Sequence, residues 1–167
     1  PPDLHAEQVA GLLEMIEKQG ERLGRLVEDV LELRRAEGIG DLDVRPVDVV
    51  AVVREVCQLS RAAGRPVDLQ APETLTARAD PSSLEQMLLN LIENAFVHGR
   101  GTVEVQVAEE QHTVRLSVLD RGPGVAAEDV DQIFDPFARG GSTAVRGSGL
   151  GLYLVRTLAE AQGGTVR

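Results

Sequence analysis

Asn90 and Asn94 stand four residues apart, the spacing that puts two side chains on one face of a helix. In a chain this acidic, their amide oxygens can ligate a hard cation such as Mg²⁺, while the amide nitrogens can donate to phosphate oxygens. Two solvent-facing amides would give the same spacing. Leu88, Leu89, Leu91, Ile92 and Ala95 surround them, so the helix is expected to be largely buried, and buried amides need partners. Downstream, Asp120 precedes Arg-Gly-Pro-Gly124, where Gly122 and Gly124 allow a sharp backbone turn. Then Gly147-Ser-Gly-Leu-Gly151 opens an apolar-periodic stretch. A glycine-rich turn feeding a helix offers free N–H groups and a positive dipole end to phosphate, here through Gly147, Gly149, Leu150 and Gly151, with Ser148 as an added donor. Between these motifs, Phe134 and Phe137 are followed by Arg139, Gly140, Gly141, Ser142, Thr143 and Arg146. That is the composition of a mobile lid, with glycine hinges, phenylalanine anchors and cations for phosphate.

The elements that must position these residues follow from periodicity. Residues 5–36 read as one long amphipathic helix, with Val9, Leu13, Ile16, Leu23, Val27 and Val30 in the three-and-four steps of a coiled-coil or four-helix-bundle seam. An exposed seam of this kind demands a partner helix, in a homo- or heterodimer; packing on the chain's own domain is the alternative. Basic residues and glycines in Arg34-Arg-Ala-Glu-Gly-Ile-Gly40 end that helix. The expected organisation is a partial dimerisation helix over 1–38 and a second domain over 41–167. In the latter, a strand is expected at 42–45, a helix from Pro46 to about Ala63, and strands at 66–70 and 75–79 joined by a turn at Pro72. Asp80-Pro81 is an N-cap followed by a proline at the first helical position, predicting a helix to about Val97. Alternating apolar residues predict strands at 102–108 and 112–119, joined as a hairpin through 109–111. A short helix after Gly124, a glycine-rich loop over 138–149 and a helix at about 149–162 complete a two-layer α/β sandwich.

Composition narrows the partners. The 167 residues are 43% hydrophobic, enough for a folded core. A net charge of −10 argues against nucleic acid and anionic membranes, and requires that a bound polyphosphate bring a cation. The single cysteine, Cys57, lies on an apolar helix face with Val53 and Val56, excludes an internal disulfide and fits a reducing compartment. No apolar run reaches the roughly 20 residues that span a bilayer, so the expected location is cytoplasmic, which is compatible with a membrane-anchored parent protein.

Asn90-Leu-Ile-Glu-Asn94-Ala, Asp120-Arg-Gly-Pro-Gly124, Phe134-Asp-Pro-Phe137 and Gly147-Ser-Gly-Leu-Gly-Leu152 occur in this order within about sixty residues. The series resembles the four nucleotide-binding boxes of sensor histidine kinases, whose Bergerat-type ATP site is shared with type II topoisomerases, Hsp90 and MutL. The resemblance implies ATP and Mg²⁺ as ligands. It makes Asn94 the foremost Mg²⁺ ligand, puts Asn90 on the phosphates or the metal's waters, and has Asp120 accept the adenine amino hydrogen. His98 shares the nucleotide helix. In the hydrolytic branches a general-base Glu lies four residues before the metal-binding Asn, where this chain has Asn90. Phosphoryl transfer is therefore favoured over water activation, and Glu93 is the residue that would support hydrolysis.

Two departures stand out. The basic residue usual three positions beyond the second Asn is Val97, which shifts phosphate contact onto Arg139, Arg146 and the Gly147 turn. No histidine has the phosphoacceptor's setting. His5 is followed by Ala-Glu-Gln, His98 lies in the nucleotide helix and His112 lies on a hairpin strand. Either the chain begins after the acceptor, or an acceptor-histidine protein supplies it, with a response regulator downstream. The rival expectations are a catalytically silent ATP-binding regulatory module resembling an anti-sigma factor or a degenerate kinase, and a MutL-like hydrolase using Glu93.

Overall fold

The computed structural model describes Val9 and residues 11–20, 42–138 and 149–167. The remainder of the expected 5–36 helix, the boundary at 34–40, His5, Arg139, Arg146, Gly147 and Ser148 lie outside the described residues. Residues 11–20 are helical (α1), and the seam residues Val9, Leu13 and Ile16 are each more than half exposed.

The rest of the described chain runs β1 (Arg45–Asp48), α2 (Val49–Ala62), β2 (Val67–Gln70), β3 (Thr76–Ala79), α3 (Pro81–His98), β4 (Val103–Glu110), β5 (Thr113–Leu119) and α4 (Gly151–Ala161). α2 starts later than its sequence suggests. Pro46 sits within β1 opposite Arg78, and Asp48 is the N-cap, its Oδ1 accepting the Val50 and Ala51 N–H groups. Proline suits a first helical turn, but it also suits a strand with a single neighbour, which need not use every N–H. Among the described residues β1 pairs only with β3, so long-range pairing decided between the two.

The strands at 67–70 and 76–79 exist but do not form a hairpin. β2 runs parallel to β4, setting Val67 beside Val103 and Leu69 beside Val105, whereas β3 runs antiparallel to β1. Among the described residues only β4 and β5 form a hairpin, closed by Gln111 and His112 with φ of 48° and 69°. The short helix expected after Gly124 is absent. Residues 127–134 form successive turns, with Asp129 N–H bonded to Ala126 O and Gln132 N–H to Asp129 O. Val125 and Val130 are exposed there and only Phe134 is buried, so a regular helix would gain little packing.

The two layers meet in one core. α2 contributes Val49, Val50, Val53, Val56 and Cys57, α3 contributes Leu84, Leu88, Ile92 and Ala95, and the sheet contributes Val67, Val103, Val105 and Val107. Burial pushes the Cys57 thiol pKa up, only partly opposed by nearby Arg61, so Cys57 is packing rather than chemistry. α4 lies against α3, with Leu154 and Leu158 packed on Met87. Nothing among the described residues is a helix long and apolar enough to cross a membrane.

Candidate functional site

α3 is the beam on which the site is built. Asp80 caps its start, accepting from the Ser82 hydroxyl at 2.6 Å and the Ser83 N–H at 2.7 Å through Oδ1. The other carboxylate oxygen accepts the Asp43 N–H at 2.9 Å, and the Asp80 N–H donates to Gln162 Oε1 at the far end of α4 at 2.6 Å. The start of α3, the end of α4 and the segment entering β1 are thus bound at one point. α3 is buried on one face only. Leu89 and Val97 are partly exposed and Glu93 and His98 are exposed, so the helix is less enclosed than its leucines suggest.

Halfway along α3, Asn90 lies against the first residue of α4. A Cβ on Gly151 would stand 3.5 Å from Asn90 Oδ1. Asn90 Nδ2 is buried and lacks a hydrogen-bond partner, a costly state for an amide donor. α4 itself starts without a side-chain cap, since its N-cap position is Leu150. The first N–H groups of a helix have no partner within it, so a donor-rich corner forms where α3 and α4 touch. Asn94 is half-buried one turn further along. The described residues hold no cluster of three or more His, Cys, Asp or Glu side chains suited to a metal, so a cation here would rely on amide oxygens, phosphate and water.

At its other end α3 meets the Asp120 turn. Asp120 is exposed at the end of β5, and its Oδ1 accepts the Gly122 N–H at 2.6 Å. A Cβ on Gly122 would fall 2.7 Å from His98 O, and one on Gly99 would fall 2.6 Å from Asp120 Cβ. Both positions must be glycine for β5 to finish against α3. Gly122 was legible as a turn residue; Gly99, which closes α3, was missed, and a Cβ there would collide with Ala95 O as well as with the Asp120 side chain.

The phenylalanine segment divides in two. Phe134 is buried at 6% exposure, whereas Phe137 is 58% exposed, so only Phe134 anchors in the core. The Arg156 guanidinium lies 4.7 Å from the Phe134 ring centroid, a contact that no local motif signals. Phe137 N–H bonds to Gly149 O at 3.0 Å, bringing Phe137 beside the segment that opens α4. A Cβ on Gly149 would strike Ala138 O at 2.7 Å, so glycine is required there. Asn90, Gly149, Leu150 and Gly151 are therefore grouped at one end of the site, and Asp120 and Gly122 at the other. Gly124, at φ 75°, turns the chain away from the latter group.

Residues 79–167 match the family described as histidine kinase-, DNA gyrase B- and HSP90-like ATPase. The sensor histidine kinase ZraS of Escherichia coli K12 is 35% identical over 163 residues, covering 93% of this chain and 34% of that protein. The chain spans about a third of the length of the curated relatives it matches. Among solved structures, the Acinetobacter baumannii histidine kinase AdeS superposes with a TM-score of 0.72 at 28% identity, covering 93% of this chain and 76% of that one. Full-length ShkA in complex with AMPPNP gives 0.71 at 33% identity, covering 87% and 32%.

Proposed function

The chain belongs to the histidine kinase-, DNA gyrase B- and HSP90-like ATPase family, and from that membership we propose that it is the ATP-binding catalytic domain of a sensor histidine kinase. Its relatives are sensor histidine kinases, and one similar solved structure, that of ShkA, holds an ATP analogue. The observation that carries the reading is the unpartnered, buried Nδ2 of Asn90 beside the start of α4, whose N-cap residue makes no side-chain cap hydrogen bond. Such a donor fits an anion, and a nucleotide's phosphates would satisfy it together with the α4 N–H groups. Asn90 to Gly99 spans about 13 Å of helix, a distance suited to a nucleotide laid along α3 with its base at Asp120.

In this reading Asp120 keeps the Gly122 N–H on Oδ1 and offers Oδ2 to the adenine amino group, while Gly122 and Gly124 let the backbone pass close to the base. Asn90, Gly149, Leu150 and Gly151 take the phosphates, joined by Arg139, Arg146, Gly147 and Ser148. Asn94, with Asn90 beside it, would hold Mg²⁺, which would neutralise phosphate charge in a chain of net charge −10. His98, Phe134 and Phe137 border the nucleotide. The chemistry is attack by an imidazole nitrogen on the γ-phosphorus. The new P–N bond forms as the bridging P–O bond breaks, ADP leaves with that electron pair, and the imidazole proton passes to solvent.

The acceptor histidine would come from a partner segment seated on the 5–36 helix, and the phosphoryl group would pass on to a response regulator's Asp. Domain limits of 1–38 and 41–167 and a cytoplasmic setting belong to the same proposal. Glu93 is exposed, which suits a polar flank to the phosphates better than an enclosed base for water. Incubating the chain with γ-labelled ATP and a protein carrying an acceptor histidine should place acid-labile phosphate on that protein and none on the chain alone. Release of free phosphate at the same rate with and without acceptor would replace the kinase reading with hydrolysis. ATP binding without either product would leave a silent binding module.

A further inference from the structure

Arg156 projects from the second turn of α4, and its contacts are not explained by α4 packing. Its guanidinium stacks 4.7 Å from the centroid of Phe134, a ring that is itself buried. The Arg156 Nη1 is also 3.9 Å from Asp135 Oδ1, but those side chains are 32% and 63% exposed. A long ion pair between such groups contributes little, whereas a planar cation on a buried ring contributes more.

Three residues beyond Phe134 the backbone takes an unfavourable form. Phe137 has φ 64°, in the left-handed region that a side chain with a Cβ resists. Its N–H is bonded to Gly149 O at 3.0 Å, and Gly149 has φ 78°. Ala138 N–H in turn bonds to Asp135 O at 3.1 Å. A strained turn of this kind persists only where its surroundings impose it. Phe137 is itself 58% exposed, so its own ring supplies little of that constraint. Within the segment Phe134 is the buried ring, and the Arg156 guanidinium lies over it.

We propose that Arg156 is a positioning residue: its guanidinium, stacked on Phe134, seats the 134–137 turn on α4 and keeps Phe137 clasped to Gly149. Gly149 lies two residues before Gly151, which faces Asn90, so the clasp fixes the backbone that would receive phosphate. That last consequence rests on the nucleotide reading above; the clasp itself does not.

The test uses the whole chain and reads amide hydrogen exchange at Phe137 without nucleotide, together with ATP affinity by calorimetry. Arg156→Ala should speed Phe137 exchange and weaken ATP by about tenfold each, the scale of losing a partly desolvated cation–ring contact. Core amides of Val53 and Leu88 should keep their protection. Arg156→Lys, which keeps the cation, should recover much of both effects, and Asp135→Asn should leave both unchanged. Unchanged Phe137 exchange in Arg156→Ala overturns the proposal. So does an equal loss of protection at Val53 and Leu88, which would make Arg156 a general stabiliser, or an Asp135→Asn variant that matches Arg156→Ala. If the wild-type chain binds no ATP while Arg156→Ala still releases Phe137, the positioning role stands and the nucleotide reading falls.

Discussion

Asn90 and Gly151 face each other across the contact between α3 and α4, with Asn90 Oδ1 only 3.5 Å from the point a Cβ on residue 151 would occupy. That distance is ordinary van der Waals contact, so alanine fits at position 151 without displacing the fold. Alanine is also the better helix former, by up to about 1 kcal/mol. Gly151→Ala should therefore unfold at an equal or slightly higher temperature. It should nevertheless bind ATP about tenfold more weakly, since an affinity change of that size corresponds to about 1.4 kcal/mol and the methyl group occupies the approach to Asn90. Thermal unfolding and calorimetry on the same sample check both halves. Equal ATP affinity would show that phosphate does not approach this corner.

Asn90 makes the complementary case. Its Nδ2 is buried without a partner, a state costing about 1–3 kcal/mol. Asn90→Leu, with the same branched skeleton but no polar atoms, should raise unfolding stability by about 1 kcal/mol while abolishing detectable ATP binding. Opposite movements of stability and binding are the signature of a group kept for a ligand rather than for the fold. A fall in stability instead would mean that the amide has a structural partner after all.

At the other end of the site, Asp120 already commits Oδ1 to the Gly122 N–H. In Asp120→Asn, keeping that bond turns the amide nitrogen toward the place assigned to the adenine amino group, setting donor against donor. ATP should bind more weakly by about 1.5–3 kcal/mol, with the circular dichroism spectrum unchanged. Full ATP affinity in the folded variant would remove adenine from Asp120.

These positions were visible in the sequence because their signals are local. Asp80-Pro81 announced α3, alternation announced β4 and β5, and the spacing of Asn90 and Asn94 required only a helix. Where the reading failed, the deciding contact was distant. Pro46 joined a strand because of Arg78, and residues 67–70 and 76–79 found partners in β4 and β1 rather than in each other. The turns at 127–134 replaced a helix in a stretch where Phe134 is the one buried residue. Arg156 and Gln162 escaped notice for the same reason as Pro46: each is defined by a neighbour twenty or more residues away.

The β4–β5 hairpin offers a test of fold energetics well away from the site. Gln111 and His112 both have positive φ, the two-residue turn that Asn-Gly fills best. His112→Gly relieves a left-handed residue that bears a Cβ, worth about 1 kcal/mol. Urea unfolding should shift to a higher midpoint by that amount, with ATP affinity unchanged. A lower midpoint would mean that the His112 side chain stabilises the turn by more than its backbone costs.

Asp80 ties folding to pH. Burial at 5% exposure acts to raise its pKa, but the hydrogen bonds from Ser82, Ser83 and Asp43 outweigh it and hold the carboxyl at about 2, against an ordinary 3.8. Because the folded pKa is the lower one, the unfolded chain binds this proton first as pH falls. The stabilisation is therefore complete above about pH 4 and drains away as pH drops toward 2, amounting to about 2 kcal/mol. Asp80→Asn keeps a competent N-cap but turns an amide nitrogen toward the Asp43 N–H, losing both the charge and one acceptor. At neutral pH the variant should be less stable by about 2–3 kcal/mol. Between pH 5 and 2 its urea midpoint should fall less steeply than that of the wild type, until the two curves approach each other in acid. Other carboxylates titrate in both proteins, so the difference between the curves isolates Asp80. Parallel curves over that range would mean that the Asp80 carboxyl titrates alike in the folded and unfolded chain, and the junction of α3, α4 and the β1 entry would then owe nothing to its charge.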